Sequence, residues 1–390
     1  MKKILILIFL SVAITPYKTS AEEFSELKEV KNYIFNERKL KEVDSSYILL
    51  RTFVDYFYLL LLEQKSIQMT FEQEFSFIGH AMGDAHPENF GIQLLKDNKN
   101  TFTLNDYDDS GSAPLFYDLL RLLTGADLLM KNNSQMTQAD RQETLKDMLS
   151  VYALNSQQHL AMPLAIKKAA DKSQKNGTMP LEKLVSQDKK KFKDGLAYVP
   201  IHAINDKEEY QSVFRSLKKV LPKILETDIL DMASYTKKSG GSAFLRRIEI
   251  LIQLDENILH LELKPIAAPT SYHFFKTQNF NLEKNYYQSI DLFMGEDRLP
   301  LYKFITHEGN TYQLRPIIEG NTDVKMDKLN PKELSEVLVF EAWTLSKFHR
   351  KQGFYFEKIR TDSKKGLEQI ISIIELLSNH FEYKFQTLKN

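Results

Sequence analysis

No cysteine occurs in the 390-residue chain, so no disulfide framework holds it together, and the redox character of its compartment goes unmarked. Charge of one sign is not in excess either. Lys+Arg and Asp+Glu each total 52, which leaves no overall basic field to draw the chain onto nucleic acid. Internal repeats are missing, and the strongest apolar run near the start, Ile4 to Ile14, is too short for a comfortable membrane span. What remains is ordinary globular composition, 43% hydrophobic and 27% charged residues, over a length that suits two domains or one large bilobal one.

The first residues, Met1-Lys2-Lys3, form a basic region ahead of that apolar run, and Thr19-Ser20-Ala21 supplies small residues before Glu22. This is the layout of a secretory signal peptide over residues 1–21, with cleavage near Ala21 and export of the mature chain, periplasmic or secreted. A cysteine-free chain is compatible with that destination. No further membrane-spanning segment is expected. Residues 44–63 are strongly apolar but carry Arg51 and Asp55, one helical turn apart and able to pair, so they read as a core helix capped by Asp44 or Ser45.

The stretch with most chemical content is Gly83-Asp84-Ala85-His86-Pro87-Glu88-Asn89-Phe90-Gly91, answered by Asn105-Asp106-Tyr107-Asp108-Asp109. Residues 70–78 read as a strand leading into it. Between the two motifs, apolar runs at residues 90–95 and 101–104 flank the polar cluster Lys96-Asp97-Asn98-Lys99-Asn100, the pattern of a β-hairpin. Paired strands lie about 5 Å apart, so a hairpin sets its outer ends side by side. Asp84 and Asn89, entering, then face Asp106, leaving. Two carboxylates and an amide oxygen around one small volume suit magnesium, which takes one or two carboxylates together with substrate phosphates. An Asp five residues before an Asn, with another Asp beyond the following hairpin, is also how protein kinases arrange base and metal ligands. A surface hairpin with acidic ends is the plainer alternative.

After Pro114 a helix is expected from Leu115, with Asp118 in its first turn, where it either complements the helix start or holds the backbone of the catalytic loop. Another helix spans about residues 137–160, opened by Thr137-x-x-Asp140. The lysine-rich residues 167–193 read as a solvated helical face and a loop. Composition changes near Asp231. Lys238-Ser239-Gly240-Gly241-Ser242-Ala243 precedes two strands, 244–254 and 258–265, the second ending near Lys264. Backbone N–H groups around Gly240, Gly241 and Ser242 suit phosphate oxygens, and Lys264 adds a point charge. Glycine segment, two strands and a strand-borne lysine match the phosphate-binding half of a kinase N-lobe. A helix at 282–294 offers Glu283 as a partner for Lys264. Strands at 301–306 and 311–318 follow, then helices at 331–350 and 363–388, in which Trp343, Phe348 and His349 read as packing residues.

Taken together, Gly83 to Gly91, Asn105 to Asp109 and Asp118-Leu119-Leu120-Arg121 resemble a bacterial family known as domain of unknown function 2252. Lys191-Phe192-Lys193-Asp194, Ser239 to Ser242 with Lys264, Tyr312-x-x-Arg315 and Leu345-Ser346-Lys347-Phe348-His349 follow in the order that family would give. The family is similar in turn to aminoglycoside phosphotransferases and other kinase-like folds. Two features depart from those kinases: Met82 stands where many have a His, and the catalytic hairpin precedes the glycine segment instead of following it. The resemblance implies an α+β, bilobal, kinase-like fold, circularly permuted. Its parts would be a catalytic-loop and helical lobe (22–230), a glycine-loop sheet lobe (231–325) and C-terminal helices packed on the helical lobe (326–390). It implies a phosphotransferase using ATP and Mg²⁺ on an unknown hydroxyl acceptor. Catalytic residues would be Asp84, Asn89 and Asp106, the last two holding the metal; Gly240, Gly241, Ser242, Lys264 and Glu283 would serve the nucleotide. Because ATP is scarce outside the cytoplasmic membrane, a non-catalytic kinase-like binding module of the cell envelope is the alternative. A two-metal phosphoesterase ranks last, since the further His and Asp motifs it needs are missing.

Overall fold

The computed structural model describes residues 43–94, 100–153, 160–176, 185–186, 188, 190–193, 202–236, 245–254, 257–275, 280–295, 301–317, 322–356 and 364–389. The expected leader and the segment carrying Gly240, Gly241 and Ser242 lie outside these residues. In chain order the elements are α1 (Ser46–Thr52), α2 (Val54–Glu63), α3 (Lys65–Thr70), α4 (Glu72–Ser76), β1 (Ile78–Ala81), β2 (Phe90–Leu94), β3 (Asn100–Leu104) and β4 (Gly111–Pro114). There follow α5 (Phe116–Lys131), α6 (Gln138–Ala153), α7 (Leu164–Asn176), β5 (His202–Ala203), α8 (Lys207–Val220), β6 (Ile229–Thr236), β7 (Arg246–Leu254) and β8 (Asn257–Pro265). The chain closes with α9 (Thr270–Phe275), α10 (Leu282–Phe293), β9 (Lys303–His307), β10 (Asn310–Pro316), β11 (Thr322–Asp323), α11 (Pro331–Lys351) and α12 (Lys364–Lys389).

This is an α+β fold with a helix-rich region and separate antiparallel sheets, consistent with a two-lobed arrangement. Two hydrophobic cores carry it. One gathers the inward faces of α1, α2, α5, α6, α11 and α12, with Leu49, Phe57, Leu120, Leu149, Leu345 and Phe381 almost wholly buried. The other lies between α8 and one face of a six-stranded sheet in the order β5-β6-β7-β8-β10-β9. β5, α8 and the first residues of β6 belong with this sheet and its core. The C-terminal helices pack on the helical core, through α11 against α6 and α12 against α5. Among the described residues no helix is long and apolar enough to cross a membrane.

Three local expectations change. Residues 70–78 are mostly helical, not extended. Phe71 and Phe75 sit one helical turn apart, and both close on Phe116, with ring centroids 5.3 and 5.1 Å away. The apolar helix over residues 44–63 divides at Phe53, and its cap is Ser45, whose hydroxyl accepts from Ile48 N at 3.2 Å. Arg51 pairs with Glu88 of the motif loop instead of Asp55. The hairpin itself forms as read: β2 and β3 pair antiparallel from Phe90↔Leu104 to Leu94↔Asn100, and β11 adds to its outer edge.

Candidate functional site

The loop between β1 and β2 is fixed by its backbone before any side chain is considered. Met82 N and Gly83 N donate to the two carboxylate oxygens of Asp118, at 2.7 and 2.9 Å. Asp118 sits in the first turn of α5, 1% exposed. It therefore holds the backbone of the two residues ahead of Asp84. His349 of α11 reaches the same carboxylate, Nε2 to Oδ2 at 3.1 Å, while its Nδ1 meets Tyr152 Oη of α6. His349 thus does more than pack: it comes in from the C-terminal helices to brace the loop where Met82 supplies no imidazole. Gly83 adopts φ +82°, and a Cβ there would lie 1.9 Å from Asp109 O, so only glycine fits.

Asp84 receives a two-pronged contact from Arg121, whose Nε and Nη2 donate to Oδ1 at 2.9 and 2.5 Å. The second prong also reaches Leu50 O at 2.8 Å, and Arg121 is itself fully buried against the Phe57 ring. Burial raises the Asp84 carboxyl above its ordinary range, with Arg121 pulling the other way. His86 Nε2 lies 3.6 Å from Asp84 Oδ2. Burial, helped by Arg51 and Arg121, pushes His86 well below the usual histidine range, so its imidazole is neutral near pH 7.

Asn89 donates its amide hydrogens to Asp84 O at 2.9 Å and Asp106 O at 3.4 Å. Both partners are carbonyls, which only accept, so the amide must present its nitrogen to them and turn Oδ1 the other way. That orientation suits a ligand to a hard cation. Asp106 follows β3, with its side chain 46% exposed, and Lys264 Nζ lies 3.1 Å from each of its oxygens. Asp108 also pairs with Lys264 and accepts from Gln313 Nε2 at 2.7 Å. One ammonium thus serves two aspartates two residues apart. Burial raises Asp106, but Lys264 and Arg315 outweigh it and hold the carboxyl down at about 2. Burial and the neighbouring Asp106 charge push Asp108 up to about 6. The two titrate as a unit around the lysine.

Lys264 arrives on β8. Side chains alternate along a strand, so Leu261 and Leu263 enter the core under α8, and His260, Glu262 and Lys264 face the opposite way. That opposite face is charged and yet buried. Glu262 is held by Arg247 at 2.6 Å and Arg315 at 2.7 Å, with Tyr235 Oη at 3.1 Å. His260 pairs diagonally with Glu249 of β7, which is itself opposite Glu262.

The structure therefore brings Asp84, Asn89, Asp106 and Lys264 into one region. It leaves Glu283 out: that residue is exposed in the first turn of α10, and Lys264 takes Asp106 and Asp108 as its carboxylate partners. Glu283 is on the solvent side of a helix that buries Tyr286, Ser289, Ile290 and Phe293 instead. Sequence reasoning overlooked the tie between Arg121 and Asp84, although Asp118 and Arg121 share a helix face at three-residue spacing. It also overlooked Asp108 as a partner of Lys264, and the cluster of Glu262, Arg247 and Arg315, because their pairing runs between strands and no local pattern records it. Among the described residues, no group of three or more His, Asp or Glu is placed to hold a metal ion. No curated protein and no solved structure matches the chain. Residues 66–224 match the bacterial family DUF2252, whose description is an uncharacterized protein conserved in bacteria.

Proposed function

We propose that the chain is a kinase-like phosphotransferase, bilobal and circularly permuted, that moves a phosphoryl group from a nucleotide such as ATP to an acceptor hydroxyl. The observation that carries this reading is the approach of Lys264 to Asp106, 158 residues apart in sequence, beside Asn89 and Asp84. Order along the chain supports it. Counting from the strand that leads into the glycine segment, Lys264 lies on the third, where protein kinases carry their phosphate-binding lysine, and two helices, α9 and α10, come next before two further strands.

In this reading Asp84 Oδ2, the oxygen that Arg121 leaves open, accepts the proton of the acceptor hydroxyl as that oxygen attacks the terminal phosphorus. The bond from that phosphorus to the departing nucleotide oxygen breaks in the same transfer. Arg121 fixes the carboxylate by its other oxygen, and Asp118 fixes the backbone under it. Lys264 exchanges its aspartates for phosphate oxygens. The Asn89 amide oxygen and the Asp106 carboxylate are a donor set that fits Mg²⁺, which usually takes few protein ligands and several from phosphate and water. When bound, Mg²⁺ would neutralise charge on the transferring group. Gly240, Gly241 and Ser242 would offer backbone N–H groups to the phosphates. The mature chain would be exported from about residue 22.

A second reading is supported by the burial of Lys264, 1% exposed and already paired twice: a non-catalytic kinase-like module that binds a ligand or protein at the cell envelope. Thermal-shift measurements with ATP and Mg²⁺ separate the two. Stabilisation of the wild type that vanishes in Asp106→Ala is the expected result. No response to any nucleotide would sink the phosphotransferase and leave the binding module. Where transfer is measured, Asp84→Asn should lower kcat by about 10²–10³-fold, the scale of losing one major transition-state contact.

A further inference from the structure

Beyond the charged contacts, the face of the six-stranded sheet turned away from α8 carries an apolar patch. Leu251 on β7 is opposite His260 on β8, and Ala233 on β6 faces the same way. Val185 and Phe192, 1% and 8% exposed, pack onto that patch, and the Phe192 ring centroid is 5.4 Å from that of His260. The two residues bridge each other in antiparallel fashion, closed by Ser186 N to Lys191 O at 2.7 Å. A hook holds the turn down: Phe192 N donates to Asp231 Oδ2 at 2.7 Å.

His260 and Lys264 project from the same face of one strand, four residues and therefore about 13 Å apart. On the phosphotransferase reading, on which this inference rests, nucleotide phosphates lie at Lys264. The strand ends at Pro265, so a nucleotide that stays on the sheet must run back past Glu262 toward His260. A purine or pyrimidine ring is flat and apolar on its faces and takes an apolar seat. The Leu251, Ala233 and His260 patch is the seat at that reach, and it is filled by a side chain of this same protein.

We infer that the Val185–Phe192 turn is an autoinhibitory contact that occupies the nucleotide base seat, with the Phe192 ring standing where the base would stack. Nucleotide binding then requires the turn to lift from Ala233 and Leu251 and its amide to leave Asp231. The affinity seen for a nucleotide is the intrinsic one reduced by the fraction of molecules with the turn displaced. A ligand with phosphates and no base needs no such displacement.

That difference supplies the test. Binding of ATP and of inorganic triphosphate, each with Mg²⁺, is measured by calorimetry on the wild type, Phe192→Ala and Asp231→Ala, with circular dichroism melts to establish folding. Phe192→Ala should tighten ATP binding at least about tenfold, the effect of raising a one-in-ten open population toward unity, and leave triphosphate unchanged. Asp231→Ala should do the same to a smaller extent, and it carries the test if Phe192→Ala does not fold. Equal tightening of both probes, an unchanged ATP affinity, or weaker ATP binding would each overturn the inference while preserving a nucleotide site. Binding of neither probe by any of the three proteins would instead remove the phosphotransferase reading, and the base seat with it.

Discussion

Asp84 and Asp106 each meet a basic side chain from far along the chain, yet the two contacts differ in kind. The partner of Asp84 is Arg121, from the same helical core, 1% exposed and also committed to Leu50 O. The partner of Asp106 is Lys264, which comes from the other core, and Asp106 keeps nearly half its side-chain surface open. The first is a fitting that folding sets once. The second joins two regions and faces solvent, so a phosphate or a cation can compete for it. A base needs the first kind of environment, and a ligand-binding residue needs the second.

The sharpest way to break this contrast is to remove each cation in turn. Arg121→Met leaves the Asp84 carboxylate, 19% exposed, and Leu50 O without their buried partner. Loss of one member of a buried pair costs about 3–5 kcal/mol. Urea unfolding should therefore show a large drop in midpoint with the slope unchanged. Lys264→Met should cost less than Arg121→Met, because Asp106, with 46% of its side chain exposed, turns to water once the buried ammonium is gone. Equal losses in the two variants would show that the contacts do not differ as described.

Gly83→Ala comes next in size. The residue combines φ +82° with an added Cβ 1.9 Å from a backbone carbonyl that cannot swing aside. Left-handed strain and overpacking together should cost about 2–4 kcal/mol, read by the same unfolding curve. By comparison, an added Cβ at Gly125 would meet Pro87 Cδ at 2.9 Å with helical backbone already in place, so Gly125→Ala should cost less.

How much of this was legible in the sequence follows the same division. The hairpin between Asn89 and Asn105 was readable because its turn is polar and its strands short. The trio Asp84, Asn89 and Asp106 came with it, since a hairpin dictates what its ends face. Asp118 was readable in role because a carboxylate at a helix start is already suited to receiving N–H groups. The brace from His349 was not, because it depends on α11 returning to α5 over 231 residues, which no local pattern records. Residues 70–78 misled for a related reason: Phe71 and Phe75 fit either period, and only Phe116 decides between them. The charged cluster on β7, β8 and β10 was not foreseen, because alternation tells which residues share a face and says nothing of what covers it. The link from Lys264 to Glu283 failed on the same ground, the helix being right and its facing side wrong.

The smallest expected effect concerns Asp109, which accepts from Thr270 N and Oγ1 at 3.0 and 2.8 Å. Burial, then the charge of Asp84, push its carboxyl from 3.8 up to about 6, against those two hydrogen bonds. A folded-state value above the unfolded one means that the native protein binds the proton more readily, so this group's contribution falls as pH rises from about 4 through 6. The whole protein does not report this cleanly. Burial lowers His80 to about 4 and pushes His86 well below its usual range, and those groups lose stability as pH falls below 6.5. Asp109→Asn isolates the effect, because the amide oxygen accepts the same two bonds and never ionises. Relative to wild type, the variant should melt about 2 °C higher at pH 7.5 and lose that advantage only by about pH 4, where neither state ionises the group. A constant difference across the range would mean that Asp109 is hydrated and ordinary.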